Sequence, residues 1–279
     1  MSDWNAVGAI APTQLTDARL EAHHAVQWCA RAARAYCAPV SDDSHTSLTW
    51  DSAACALITQ SILTDLKLGV RLHDLTLLIQ TGKDQKEFTL LGRSDSDTGD
   101  WLKTTLSEHE LDPKRLDAPG PYALPRHALN DGKPYGLPNN QAFEELAYYY
   151  SNAAVLLETV RHTQSNSSPV RCWPHHFDIA TLISLDPDGG EAARSIGVGL
   201  SPGDDTYSEP YFYISPWPYP TTSNLPDLTA PAFWHREGYT AAILSSKDVV
   251  RVKDPAQQSD LVASAIRNAI KIVRKLLDG

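Results

Sequence analysis

Apolar positions recur along this chain with two periods, one helical and one extended. Between Asp17 and Cys37, Ala25, Trp28, Cys29, Ala32, Ala33, Tyr36 and Cys37 fall at helical spacing, and Pro39 follows. This predicts a helix that stops before the proline. Its small residues would let it lie close on a sheet. His23 and His24 flank the stripe and are expected at the surface or half-buried. Four short strands are then predicted over Ala56–Gln60, Lys67–His73, Leu75–Thr81 and Glu87–Leu91. Leu68, Val70 and Leu72 alternate with Gly69, Arg71 and His73, and Thr81-Gly82-Lys83-Asp84 has the composition of a hairpin turn. An amphipathic helix is predicted around Asp100–His109, carrying Trp101, Leu102 and Leu106.

The same two periods return in the second half. A helix from about Asn140 to His162 buries Phe143, Leu146, Ala147, Tyr150, Ala154 and Leu157. A strand is predicted after Pro174, ending at the turn Asp186-Pro187-Asp188-Gly189-Gly190. Alternation along it puts His175, Phe177, Ile179, Thr181 and Ile183 on one face, and His176, Asp178, Ala180 and Leu182 on the other. Ser201–Pro210 is rich in Pro, Gly and Asp and forms a loop. In the strand that follows, Tyr211 and Tyr213 share one face and Phe212 and Ile214 the other. A further strand-like run spans Tyr239–Leu244. The last helix opens at Asp254-Pro255, an aspartate cap before a proline. It buries Val262, Ala265, Ile266, Ala269, Val273 and Leu276.

This succession predicts an α+β fold of short, mostly antiparallel strands flanked by helices. Helix, loop, strands and helix occur twice, which suggests two similar α+β halves, 1–111 and 140–279. A connection rich in Pro and Gly, 112–139, joins them. The polar loop Ser41–Thr46 leads into Ser47–Asp51. Its Asp43 and His45 read best as a turn with local side-chain hydrogen bonds.

Composition narrows the function classes. The 279-residue chain carries a formal net charge of −10, which is ill suited to neutralising phosphates, so no nucleic-acid partner is expected. No apolar run reaches bilayer length, and Met1-Ser2-Asp3-Trp4 lacks the basic and apolar regions of a signal peptide. No membrane association is expected. Cys29 and Cys37 sit roughly 12 Å apart along the predicted helix axis, too far for a disulfide. With Cys55 and Cys172 they suggest reduced thiols and a cytoplasmic setting. Nucleophile elbow, phosphate-binding glycine loop, dinucleotide fingerprint and zinc-protease helix are all missing from the sequence, so no nucleotide cofactor is expected.

The candidate chemistry lies between Val170 and His235. On a strand, His176 and Asp178 would sit roughly 6–7 Å apart on one face. His235 would complete a two-histidine, one-carboxylate set with open positions, suited to iron or zinc. Asp204 and Glu209 would supply general-base work or contacts to the ligands. A second reading takes Tyr211, Tyr213 and Trp217, with the acids of the loop, as a rim that holds a small polar or cationic molecule. A third takes the histidines and Asp178 as satisfied structural residues. A small-molecule partner is expected in the first two.

The His-x-Asp…His triple resembles the metal motif of the iron- and 2-oxoglutarate-dependent oxygenases over three residues. A broader likeness rests on HFDIATLIS at 176–184, SPGDD at 201–205, EPYFY at 209–213, GYTAAILSS at 238–246 and the helix opened by Asp254-Pro255. These elements resemble an uncharacterised bacterial family of unknown function, from about Pro169 onward, with an echo in SDDSHTSLTWD at 41–51. The resemblance implies a shared fold and no particular activity.

Overall fold

The computed structural model describes residues 4–136, 140–190 and 193–278. The chain forms an α+β fold whose described strand pairings are antiparallel. It divides into two compact units. The N-terminal unit comprises 15–147 and 172–177, and the C-terminal unit 1–14, 148–171 and 178–279.

In the N-terminal unit, helix α1 (Thr16–Tyr36) lies on a meander of β1 (Leu48–Asp51), β2 (Ala56–Thr59), β3 (Leu66–Arg71), β4 (Thr76–Thr81) and β5 (Asp84–Thr89), followed by helix α2 (Asp95–Glu108). The short β6 (Arg171–Trp173) joins the free edge of β1 at Leu48↔Cys172. Hairpin β4–β5 closes on Thr81↔Asp84 through a two-residue loop. Gly82, at φ 60°, supplies the positive φ that such loops need at their first position.

Three expectations change here. Leu48–Asp51 is a full strand paired to β2 along its length. Helix α2 begins five residues before the apolar stripe suggested, because Ser94 and Asp97 form a reciprocal capping box at its start that satisfies exposed backbone N–H groups. His23 and His24 are buried, at 5% and 9% exposure. The apolar stripe marks only the most hydrophobic side of a helix that is enclosed on nearly all sides.

His23 is accommodated by its partners. Its ring stacks on Phe177 at 5.3 Å and 8°, and Nε2–H donates to the Pro174 carbonyl at 2.8 Å. Gln27 donates to the same carbonyl and accepts from Tyr122 Oη. Burial pushes the His23 imidazole down to about 4, and the Pro174 carbonyl opposes this only in part. In the loop before β1, His45 Nδ1 accepts from Val40 N as expected, but the acidic side chain that accepts from Ser44 N is Asp42 rather than Asp43.

In the C-terminal unit, the described strands are β7 (Asp178–Ser184), β8 (Ser195–Ser201), β9 (Tyr211–Trp217), β10 (Phe233–His235) and β11 (Ala241–Ser245). Their order is β7-β8-β9-β11-β10. Helix α3 (Gln141–Thr163), which enters this unit from residue 148 onward, precedes them, and α4 (Ser246–Val249) and α5 (Pro255–Asp278) follow. Asp254 Oδ1 accepts from Gln257 N at the start of α5, as its cap position predicts. Helix α5 lies on β8, β9 and β11. The exchange of the last two strands, against the simple meander of the N-terminal unit, distinguishes the two topologies.

The expected irregular arm is pinned by side-chain amides. Gln258, 1% exposed, accepts from Val7 N and donates to Val7 O. Asn152 does the same for Asn5. Each amide copies the paired donor and acceptor of a neighbouring strand, so the arm is held without forming one.

Candidate functional site

Strand β9 organises the candidate site. Its register with β8 and β11 puts Phe212 between Leu200 and Leu244, and Ile214 between Val198 and Ala242. All six are buried. The opposite face carries Tyr211, Tyr213, Ser215 and Trp217. Tyr213 stands between Gly199 and Ile243, and Tyr211 between Ser201 and Ser245. The predicted alternation of the four residues 211–214 is therefore observed.

Glycine shapes this face. A Cβ on Gly199 would lie 2.5 Å from Tyr213 Oη and 2.6 Å from Cζ. The Tyr213 ring lies across the glycine, towards β7, where its hydroxyl donates to Asp178 Oδ2 at 2.5 Å. Gly in a strand interior often marks such a close approach. Tyr211 donates to Asp204 Oδ2 at 2.5 Å. The other oxygen of Asp204 accepts from Thr206 N and Tyr207 N, so one carboxylate orders its own loop and holds the tyrosine. Glu209, 9% exposed, accepts from Ser245 Oγ at 2.5 Å.

His235, on the edge strand β10, is enclosed by aromatic rings. Nε2–H donates to the Glu237 carbonyl at 2.6 Å, and Nδ1 faces Tyr207 Oη at 2.9 Å. The Tyr239 ring lies 4.1 Å from the imidazole. Both ring nitrogens are thus occupied. Trp217, Leu182 and Phe233 are 48%, 47% and 37% exposed and contribute apolar surface. The Trp217 and Tyr219 rings meet edge to face at 5.4 Å.

The electrostatics of the face are acidic. Burial pushes the Tyr213 hydroxyl well above the ordinary tyrosine range, and the Asp178 charge adds to it. Burial raises Tyr211 likewise, with its hydrogen bond to Asp204 next. Tyr207 is raised by burial, then by Tyr239, Asp204 and Glu237. Phenols surrounded by carboxylates remain neutral donors, and the region favours positive charge.

The predicted metal set has a different arrangement from the one expected. The strand begins at Asp178, after a turn at Pro174–Phe177 closed by Phe177 N donating to Trp173 O at 2.7 Å. Phe177 adopts φ 58°, so the alternation assumed from His175 onward does not extend through it. His176 is exposed on this turn, its ring 4.3 Å from that of His175, and belongs to the N-terminal unit. Asp178 and His235 belong to the other unit, where each bonds a tyrosine. Among the described residues, no group of three or more His, Cys, Asp or Glu side chains could hold a metal ion.

Tyr207, Tyr239 and Gly199 were absent from the candidates drawn from sequence. Gly197-x-Gly199 within a strand was the available signal for the last. No family model, curated protein or solved structure matches this chain.

Proposed function

We propose that the protein is a small-molecule binding protein whose tyrosine face in the C-terminal unit takes an organic cation. The observation that carries this reading is the pair of phenol–carboxylate contacts, Tyr213 to Asp178 and Tyr211 to Asp204. They place negative charge among aromatic rings and fix those rings in position. A cation beside such a set gains from ring faces and carboxylates together. Trp217 and Phe233, both accessible, offer apolar surface to the carbon atoms of the ligand. Cys29, Cys37, Cys55 and Cys172 form no disulfide among the described residues, which supports a cytoplasmic setting.

The rival reading is a metal-dependent enzyme using His176, Asp178 and His235 with iron or zinc. It has less support, because ligation through His235 would break one of its two hydrogen bonds. Elemental analysis before any chelator, with a His176→Ala variant, tests it. About one metal per chain that disappears in the variant would favour the rival.

Calorimetric titration with choline and with its neutral isostere 3,3-dimethylbutanol tests the proposal. Choline should bind about tenfold more tightly, equivalent to ~1.4 kcal/mol. Asp178→Asn and Tyr213→Phe should each remove most of that preference. Equal binding of the two probes, or binding of neither, would overturn the reading.

A further inference from the structure

The N-terminal unit holds a second feature, independent of the tyrosine face. An open, solvent-facing cavity of about 790 Å³ is lined by the first turns of α1 and the segment 126–136. That is the size of a small-molecule site. Its charged lining comes from Asp17, Glu21, Arg126, His127, Asp131 and Lys133. Both signs are therefore present in one cavity.

Glu21 is the unusual member. It is only 3% exposed, and Oε2 accepts from Gly136 N at 2.8 Å. The wall that supplies this N–H is firmly placed. Tyr135, buried next to Gly136, donates its N–H to Arg93 O, accepts from Gly92 N and donates Oη to Asp95. A neutral glutamine could accept the same backbone bond without the cost of burying a charge. A carboxylate here makes sense where its second oxygen meets a donor from a ligand. Burial pushes the Glu21 carboxyl up to about 7, with the Asp17 charge adding to it and the Gly136 N–H opposing. On the same 126–136 segment, Arg126 is paired with Asp131 at 3.1 Å, while Lys133 is exposed.

We propose that this cavity binds a small zwitterion, with its ammonium group on Glu21 and Asp17 and its carboxylate on Lys133 and Arg126. A simple cation would meet the two basic side chains, and a simple anion would meet the buried acid. A molecule carrying both charges satisfies both walls. Binding the ammonium draws Glu21 into its ionised form. Below about pH 7 the carboxyl proton passes to solvent as the ligand binds, so affinity rises with pH through that range. The other ionisable side chains around Glu21 are His24 and Asp17 on α1 and Arg126, His127, Asp131 and Lys133 on the 126–136 segment.

The probes are 4-aminobutyrate, butylamine and butyrate, titrated into the full chain at pH 6 and pH 8. The zwitterion should bind at least about tenfold more tightly than either single-charge probe at pH 8. Lys133→Ala, at an exposed position, should weaken it about fivefold or more with folding intact. Glu21→Gln retains the bond to Gly136 and should weaken binding similarly. It should also abolish the Glu21 share of the pH dependence. Binding of butylamine equal to that of the zwitterion would overturn the proposal. So would an unchanged affinity in Lys133→Ala, or no binding of any probe.

Discussion

The Tyr213 ring lies across Gly199, and only the missing side chain of that glycine lets the tyrosine hydroxyl reach Asp178 on the next strand. A methyl group at this position would meet Tyr213 Oη at 2.5 Å and the Ile179 carbonyl oxygen at 2.8 Å. The ring can swing away, but the carbonyl is part of the β7–β8 ladder. Gly199→Ala should therefore cost roughly 1–3 kcal/mol, the usual range for overpacking. Thermal denaturation should show the loss, and choline binding should fall with it because Tyr213 is displaced.

The contact between Tyr213 and Asp178 should show coupling. Tyr213→Phe removes one donor from a half-buried carboxylate, which costs about 1–3 kcal/mol. Asp178→Asn weakens the acceptor at the same contact. Their effects in a double-mutant cycle should be non-additive by 0.5 kcal/mol or more, on the order measured for contacting pairs. Additive effects in urea titrations would show that the two groups act separately.

His23 predicts acid sensitivity. Its folded value, about 4, lies below the ordinary histidine value of 6.5. The unfolded chain thus takes up the proton first, and stability is lost as pH falls from about 6.5 through 4. The full loss is on the order of 3 kcal/mol. His23→Gln can still donate to Pro174 O and does not titrate. Its stability between pH 7 and pH 4 should fall less steeply than that of the unsubstituted protein, as followed by the midpoint of urea unfolding.

Glu21 has the opposite sign. Its folded value, about 7, lies above the ordinary 4.5, so its contribution is complete below pH 4.5 and is lost as pH rises through 7. Glu21→Gln should leave the melting temperature nearly unchanged at pH 4.5 and raise it at pH 8. The gain is on the order of 3 kcal/mol at most. A lower melting temperature for the variant at pH 8 would mean that the carboxylate is stabilised by something other than the contact to Gly136.

Periodicity made the helices legible, because burial of one side of a helix leaves an apolar stripe even without neighbours. The stripe of α5 illustrates this: Val262, Ala265, Ile266, Ala269 and Val273 are all buried, although Leu276 is only half-buried. The alternation in β9 was legible for the same reason. Local signals failed where the backbone left its usual region. Nothing in Pro174–Asp178 announced the positive φ of Phe177, and the face assignment of His176 depended on an unbroken strand. Capping by Ser94 is written in the residues, but it lies outside the apolar stripe of α2.

The amino-acid sequence by itself determined the long helices, the hairpin at Gly82, the cap at Asp254 and the two faces of β9. These follow from short-range sterics, capping and alternation, which act within a few residues. Tertiary structure alone decided that Tyr213 finds Asp178 across Gly199, that Tyr207 and Tyr239 enclose His235, and that Glu21 meets Gly136. Those relations depend on strand register and on loops that return from far along the chain. No period in the sequence encodes them, because the contacting residues are brought together only when the sheets and the 126–136 wall have formed.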